Sequence, residues 1–127
     1  MPLQVEVQEK PGGSYVTIDV GGSLDANTYT QLKAAVDAVL KLPVNLVIFN
    51  LEKLDYVSSA GVGVVLGAEK ALKAKGGKAL LVNLKPPIKK VFDIVKALPK
   101  QQLFSSIQEL DAYLSEIQKQ VRKDGTP

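Results

Sequence analysis

Residues 45–77 read NLVIFNLEKLDYVSSAGVGVVLGAEKALKAKGG, and the change of pattern inside them decides the fold. NLVIFNL (45–51) is a nearly continuous apolar run, the pattern of a strand buried on both faces. GVGVVLGAEKALKAKG (61–76) instead reads as a helix. Its lysines gather towards the C-terminal end, where the helix dipole favours them, and Gly76-Gly77 stops it. A buried strand leading into a helix is the building unit of an α/β fold. Between the two lies LDYVSSAGVG (54–63), which places Ser58 and Ser59 where the strand gives way to the helix.

Working outward, LQVEVQ (3–8) and SYVTIDV (14–20) alternate apolar and polar residues around Pro11-Gly12-Gly13, which predicts a hairpin. Gly21-Gly22 breaks the second pattern. Leu32, Val36, Val39 and Leu40 share one stripe, so a helix is expected over 26–41, ending before Pro43. KALLVN (78–83) reads as a further buried strand. Pro86-Pro87 opens a short helix with Val91, Ile94, Val95 and Leu98 on its apolar side, and Pro99 closes it. QLF (102–104) reads as a last short strand. Ser106 and Glu109 form a capping-box pattern ahead of a stripe made by Ile107, Leu110, Leu114, Ile117 and Val121. The order β-β-α-β-α-β-α-(β)-α predicts a single α/β domain, a mixed sheet of about four to five strands covered by about four helices. The domain is expected over 1–118, with 119–127 a basic tail that frays.

Composition excludes more than it assigns. The 127 residues make one domain of ordinary globular character, without cysteine or histidine. Disulfides, thiolate nucleophiles and the commonest metal ligand and proton shuttle are therefore absent. The net charge of +3 is mild. Its basic runs, KPPIKK (85–90) and KQVRK (119–123), lack interleaved aromatics and read as solvated helix faces rather than a nucleic-acid surface. The first residues lack a signal pattern and no apolar run approaches about 18 residues, so a cytoplasmic protein without membrane contact is expected.

The serines admit several readings. Gly61, Gly63 and Gly67 follow a strand, but G-x-G-x-x-x-G is not a dinucleotide fingerprint, and no phosphate-loop motif occurs. These glycines are expected to let the helix sit close to the sheet. A nucleophile elbow needs glycine two residues before the serine, where Val57 stands, and no histidine is present to act as base. Either serine suits a helix N-cap. A helix N-terminus also holds anions, so a phosphoryl group on Ser59 would be partly stabilised there while reversing the local surface charge.

In these stretches the chain resembles the STAS family of bacterial anti-sigma factor antagonists, over about residues 4–118. GSLDANTYTQLK (22–33) is similar to the family's G-x-L-D and first helix, LVIFNLEKLDYVSSAGVGVVLGA (46–68) to its buried strand and phosphorylation motif, and 78–104 to its later elements. The resemblance implies a phosphoacceptor at Ser59, with Asp25, Ser58 and Gly61 beside it. Ser58 stands where many relatives carry an acid, and Ser23 where an acid is common. It further implies a non-enzyme without cofactor. Its unphosphorylated form would bind an anti-sigma factor serine kinase and free the sigma factor, and a serine phosphatase would reverse the phosphorylation. The alternative is an interaction or ligand-sensing module unconnected with a sigma factor. On helix 61–76, Gly61, Val65, Ala68 and Leu72 are expected to be buried. Val62, Leu66, Glu69 and Lys73 lie on another stripe, expected to face solvent and dock the kinase.

Overall fold

The computed structural model describes residues 2–10, 15–97 and 107–123. Its elements run β1 (Gln4–Glu9), β2 (Val16–Leu24), α1 (Tyr29–Leu40), β3 (Leu46–Asn50), β4 (Leu54–Val57), α2 (Ser59–Ala74), β5 (Lys78–Val82), α3 (Pro86–Ala97) and α4 (Ile107–Lys123). The expected strand at 102–104 and the Ser106 cap lie outside the described residues. The hairpin β1–β2 is antiparallel, whereas β2–β3 and β3–β5 are parallel, giving the order β1-β2-β3-β5.

β2 organises the sheet because it serves two partners. Its first half pairs with β3 and its last residues with β4, the register shifting between Gly22 and Ser23. Gly21-Gly22 therefore bends the strand rather than ending it. Gly22 has φ +86, and a Cβ there would lie 2.1 Å from the Pro2 carbonyl oxygen, so only glycine fits. β4 was not expected from the sequence. Its four residues are too few to display a period, and its pairing depends on the bend in a strand about thirty residues away.

Val16, Ile18, Val20, Val47 and Phe49 fill one face of the sheet, packed with Leu32, Val36 and Val39 of α1 and Val65, Ala68 and Leu72 of α2. The opposite face corrects an expectation. Leu46 and Ile48 are only half-buried and Leu80 is 40% exposed, so neither β3 nor β5 is buried on both faces. Among the described residues, the helices pack against the other face and against one another, and β5 is an edge strand. At its far end α2 closes as a Schellman motif, with Gly77 N–H donating to Leu72 O at 2.8 Å and Gly76 at φ +80. Lys85 pairs with Asp55 and Lys89 with Asp93, placing KPPIKK among surface ion pairs. α4 extends to Lys123, so helical backbone continues into the segment expected to be a tail. No helix among the described residues is long and apolar enough to cross a membrane.

Candidate functional site at the start of α2

The turn from β4 into α2 is held from two sides. On one side Leu24 pairs with Val57, and the Ser58 N–H donates to Leu24 O at 2.9 Å. Asp25 follows directly after the residue that holds Ser58. The Asp25 carboxylate accepts from the N–H groups of Asn27 (2.9 Å) and Thr28 (3.1 Å). The Thr28 hydroxyl accepts from the Asp25 N–H at 2.9 Å and donates to Ser23 O at 2.8 Å. Asp25 thus fixes the loop that enters α1, an arrangement that suits aspartate because its short side chain reaches its own neighbours' amides.

On the other side stands α4. The Gln118 amide spans the Val57 peptide, accepting from its N–H at 3.1 Å and donating to its carbonyl at 2.9 Å. The Ser115 and Tyr56 hydroxyls bond to each other. The Asp111 carboxylate accepts from the Ser59 N–H at 2.8 Å. Asp111, Leu114, Ser115 and Gln118 are spaced i, i+3, i+4, i+7 and form one face of the helix. The sequence displays the apolar stripe of α4, which shares Leu114 with this face, but not the task of Asp111, Ser115 and Gln118. The seven-residue spacing of Asp111 and Gln118 was the available signal, but what they bind is set only by the fold.

The two serines occupy different environments. Ser58 is the N-cap residue, with extended backbone, yet its hydroxyl makes no capping bond. It is 3% exposed and its Oγ has no hydrogen-bond partner among the described residues. Ser59 is the first helical residue and half-buried. Of the two serines, Ser59 is therefore the less buried.

Gly61 is required by close approach, since a Cβ there would lie 2.5 Å from Leu24 Cγ and 3.1 Å from Leu24 O. Gly63 and Gly67 have nothing within 4 Å of a Cβ, so the expectation of close packing holds for Gly61 alone. Val62 requires a correction. It is 0% exposed and belongs to the core, so it cannot form part of a docking surface. The reason is that α2 meets α3 and α4 as well as the sheet, which widens its buried face beyond one stripe. Leu66 and Glu69 are half-buried and Lys73 is exposed, flanking β5. The side of α2 opened to solvent is instead that of Gly63 and Gly67, which with Ala60 and Val64 lines a groove of about 430 Å³ against Tyr29 and Lys33 of α1. Among the described residues no group of three or more acidic side chains is placed to hold a metal ion.

The family model of the STAS domain matches residues 4–110. The chain belongs to the STAS domain family. It is 38% identical over 78 residues to the anti-sigma F factor antagonist of Lysinibacillus sphaericus, covering 61% of this chain and 67% of that one. Among solved structures it is similar to the anti-sigma factor antagonist SpoIIAA in its unphosphorylated form, with 30% identity, a TM-score of 0.65 and coverage of 73% of this chain and 81% of that one. The phosphorylated form of the Bacillus cell fate determinant SpoIIAA superposes with 30% identity and a TM-score of 0.61, over 72% and 83% of the two chains.

Proposed function

We propose that this protein is an anti-sigma factor antagonist switched by phosphorylation of Ser59. In its unphosphorylated form it binds an anti-sigma factor serine kinase and thereby releases a sigma factor. The kinase transfers the γ-phosphoryl group of ATP to Ser59 Oγ. A phosphorus–oxygen bond forms at the serine as the bond to ADP breaks, and the hydroxyl proton leaves to a base on the kinase. A serine phosphatase hydrolyses the ester and restores the binding form. The protein supplies the acceptor and the surface and carries out no chemistry itself.

The observation that carries this reading is the difference between the adjacent hydroxyls. Ser59 lies only partly buried at the first position of a sixteen-residue helix, while Ser58 is buried beside it. The helix N-terminus partly offsets the charge of a phosphoryl group, about −1.5 to −2, so the fold tolerates the modification while the surrounding surface turns anionic. The similarity to a structure solved in both phosphorylated and unphosphorylated forms supports the same reading. Leu66, Glu69 and Lys73 remain candidates for kinase contact, and Asp25 and Gly61 shape the turn that presents Ser59. The test is calorimetric titration of the kinase with wild type and Ser59→Asp. The expected result is binding by the wild type and a loss of at least about tenfold in affinity for the variant, from like-charge repulsion and desolvation at the interface. Equal binding by a folded Ser59→Asp would refute the switch.

A further inference from the structure

The N-terminus of α2 already holds an anion, and it comes from α4. The Asp111 carboxylate is seated on the Ser59 N–H at 2.8 Å, a charge-assisted bond to the residue that the proposed function makes the phosphoacceptor. The seat has donors to spare. The Ala60 and Gly61 N–H groups precede the first intrahelical bond, made by Val62 N–H to Ser58 O, and have no acceptor among the described residues. Ser58 at the same turn is 3% exposed, and its hydroxyl is buried and has no partner among the described residues. A dianionic group on Ser59 Oγ would find these donors within its own turn of helix. It would also meet the Asp111 carboxylate at short range, where two like charges repel.

We propose that Asp111 is a built-in competitor for the phosphoryl group. α4 docks through Asp111 while Ser59 is free, and loosens when Ser59 carries phosphate, so the state of the serine is reported at the C-terminal helix. The inference rests on Ser59 as the phosphoacceptor. Its specific content, displacement of α4, comes from this chain's geometry, because Asp111, Ser115 and Gln118 all lie beyond the matched residues 4–110. The lever is short. The three side chains attach one face of α4 to Tyr56, Val57 and Ser59, so loss of the Asp111 contact removes the bond nearest the phosphoryl group and leaves the Gln118 clamp on Val57 and the packing of α4 on α3. Coupling of this kind is reciprocal. Removing the charge of Asp111 therefore makes phosphate easier to accommodate at Ser59.

The test is hydrogen–deuterium exchange of the full chain with phosphoserine installed at position 59 by genetic-code expansion, which needs no kinase. In the wild-type background, the amides of α4 are expected to exchange about tenfold faster or more with phosphate present than without it, as local opening becomes easier. In Asp111→Asn, which keeps an acceptor oxygen and drops the charge, phosphate is expected to change that exchange less than about threefold. The comparison is made within each background, so any lower stability of the variant cancels. Unchanged protection of α4 in phosphorylated wild type would overturn the inference, as would equal loosening in Asp111→Asn. Neither result bears on whether a kinase modifies Ser59, which is read separately by mass. A kinase that modifies another residue would remove the premise and the inference with it.

Discussion

At the scale of single residues, the turn into α2 separates positions that look equivalent on paper. Ser58 has the sequence signature of a helix cap, whose loss ordinarily lowers stability by about 1 kcal/mol. Its hydroxyl instead lies buried and, among the described residues, unpaired. Ser58→Ala is therefore expected to leave stability unchanged or raise it by up to about 1 kcal/mol, because an unsatisfied polar group leaves the interior. Urea denaturation reads the sign directly, and a loss of stability would show that the hydroxyl is satisfied in solution. The three glycines of α2 separate in the same way. Gly61→Ala drives a methyl into Leu24 and is expected to cost about 1–3 kcal/mol. Gly63→Ala enters open space and is expected to stabilise by about 1 kcal/mol through helix propensity. Equal effects at the two positions, measured by the same denaturation, would contradict this placement of the helix.

At the scale of elements, the decisive contact is the one between α4 and the β4–α2 turn. Gln118→Ala leaves both polar groups of the buried Val57 peptide without their partner, a loss expected to be about 2–3 kcal/mol in urea denaturation. A change below about 0.5 kcal/mol, the size typical of exposed positions, would mean that α4 is not docked there. This clamp was the least legible part of the sequence. The helices announced themselves through their apolar stripes, and the hairpin through alternation about a glycine-rich turn. The residue types of Asp111 and Gln118 on an amphipathic helix look like solvated polar positions, and only the return of α4 to β4 gives them a task. The same limit hid β4. A strand of four residues has no period to read, and its partner is the end of β2 past a glycine bend that looked like a terminus. Val62 was misplaced for a related reason. A periodic pattern gives the face turned to the sheet, but not the further helices that close over the helix from its side.

At the scale of the whole molecule, one sheet face carries the core and the helices, and the turn that presents Ser59 sits where β4, α2 and α4 converge. The place of Ser59 at the start of α2 is legible because its signal is local, a hydroxyl at the first turn of a helix followed by Gly61. The neighbours that govern it come from 24–25 and 111–118, stretches that are distant in sequence. Outside the turn and α4, the domain is expected to be indifferent to the modification. Ser59→Asp is expected to retain the far-UV circular dichroism of the wild type and a melting temperature within a few degrees of it, since the helix dipole offsets part of the added charge. Gross unfolding would show that the turn cannot accommodate an anion at that position. The central claim is tested most directly by intact-mass analysis of the protein after incubation with its kinase and ATP. The expected result is the addition of a single phosphate to wild type and to Ser58→Ala, and none to Ser59→Ala. Phosphate on Ser59→Ala, or its absence from wild type under conditions where the kinase is active, would contradict it.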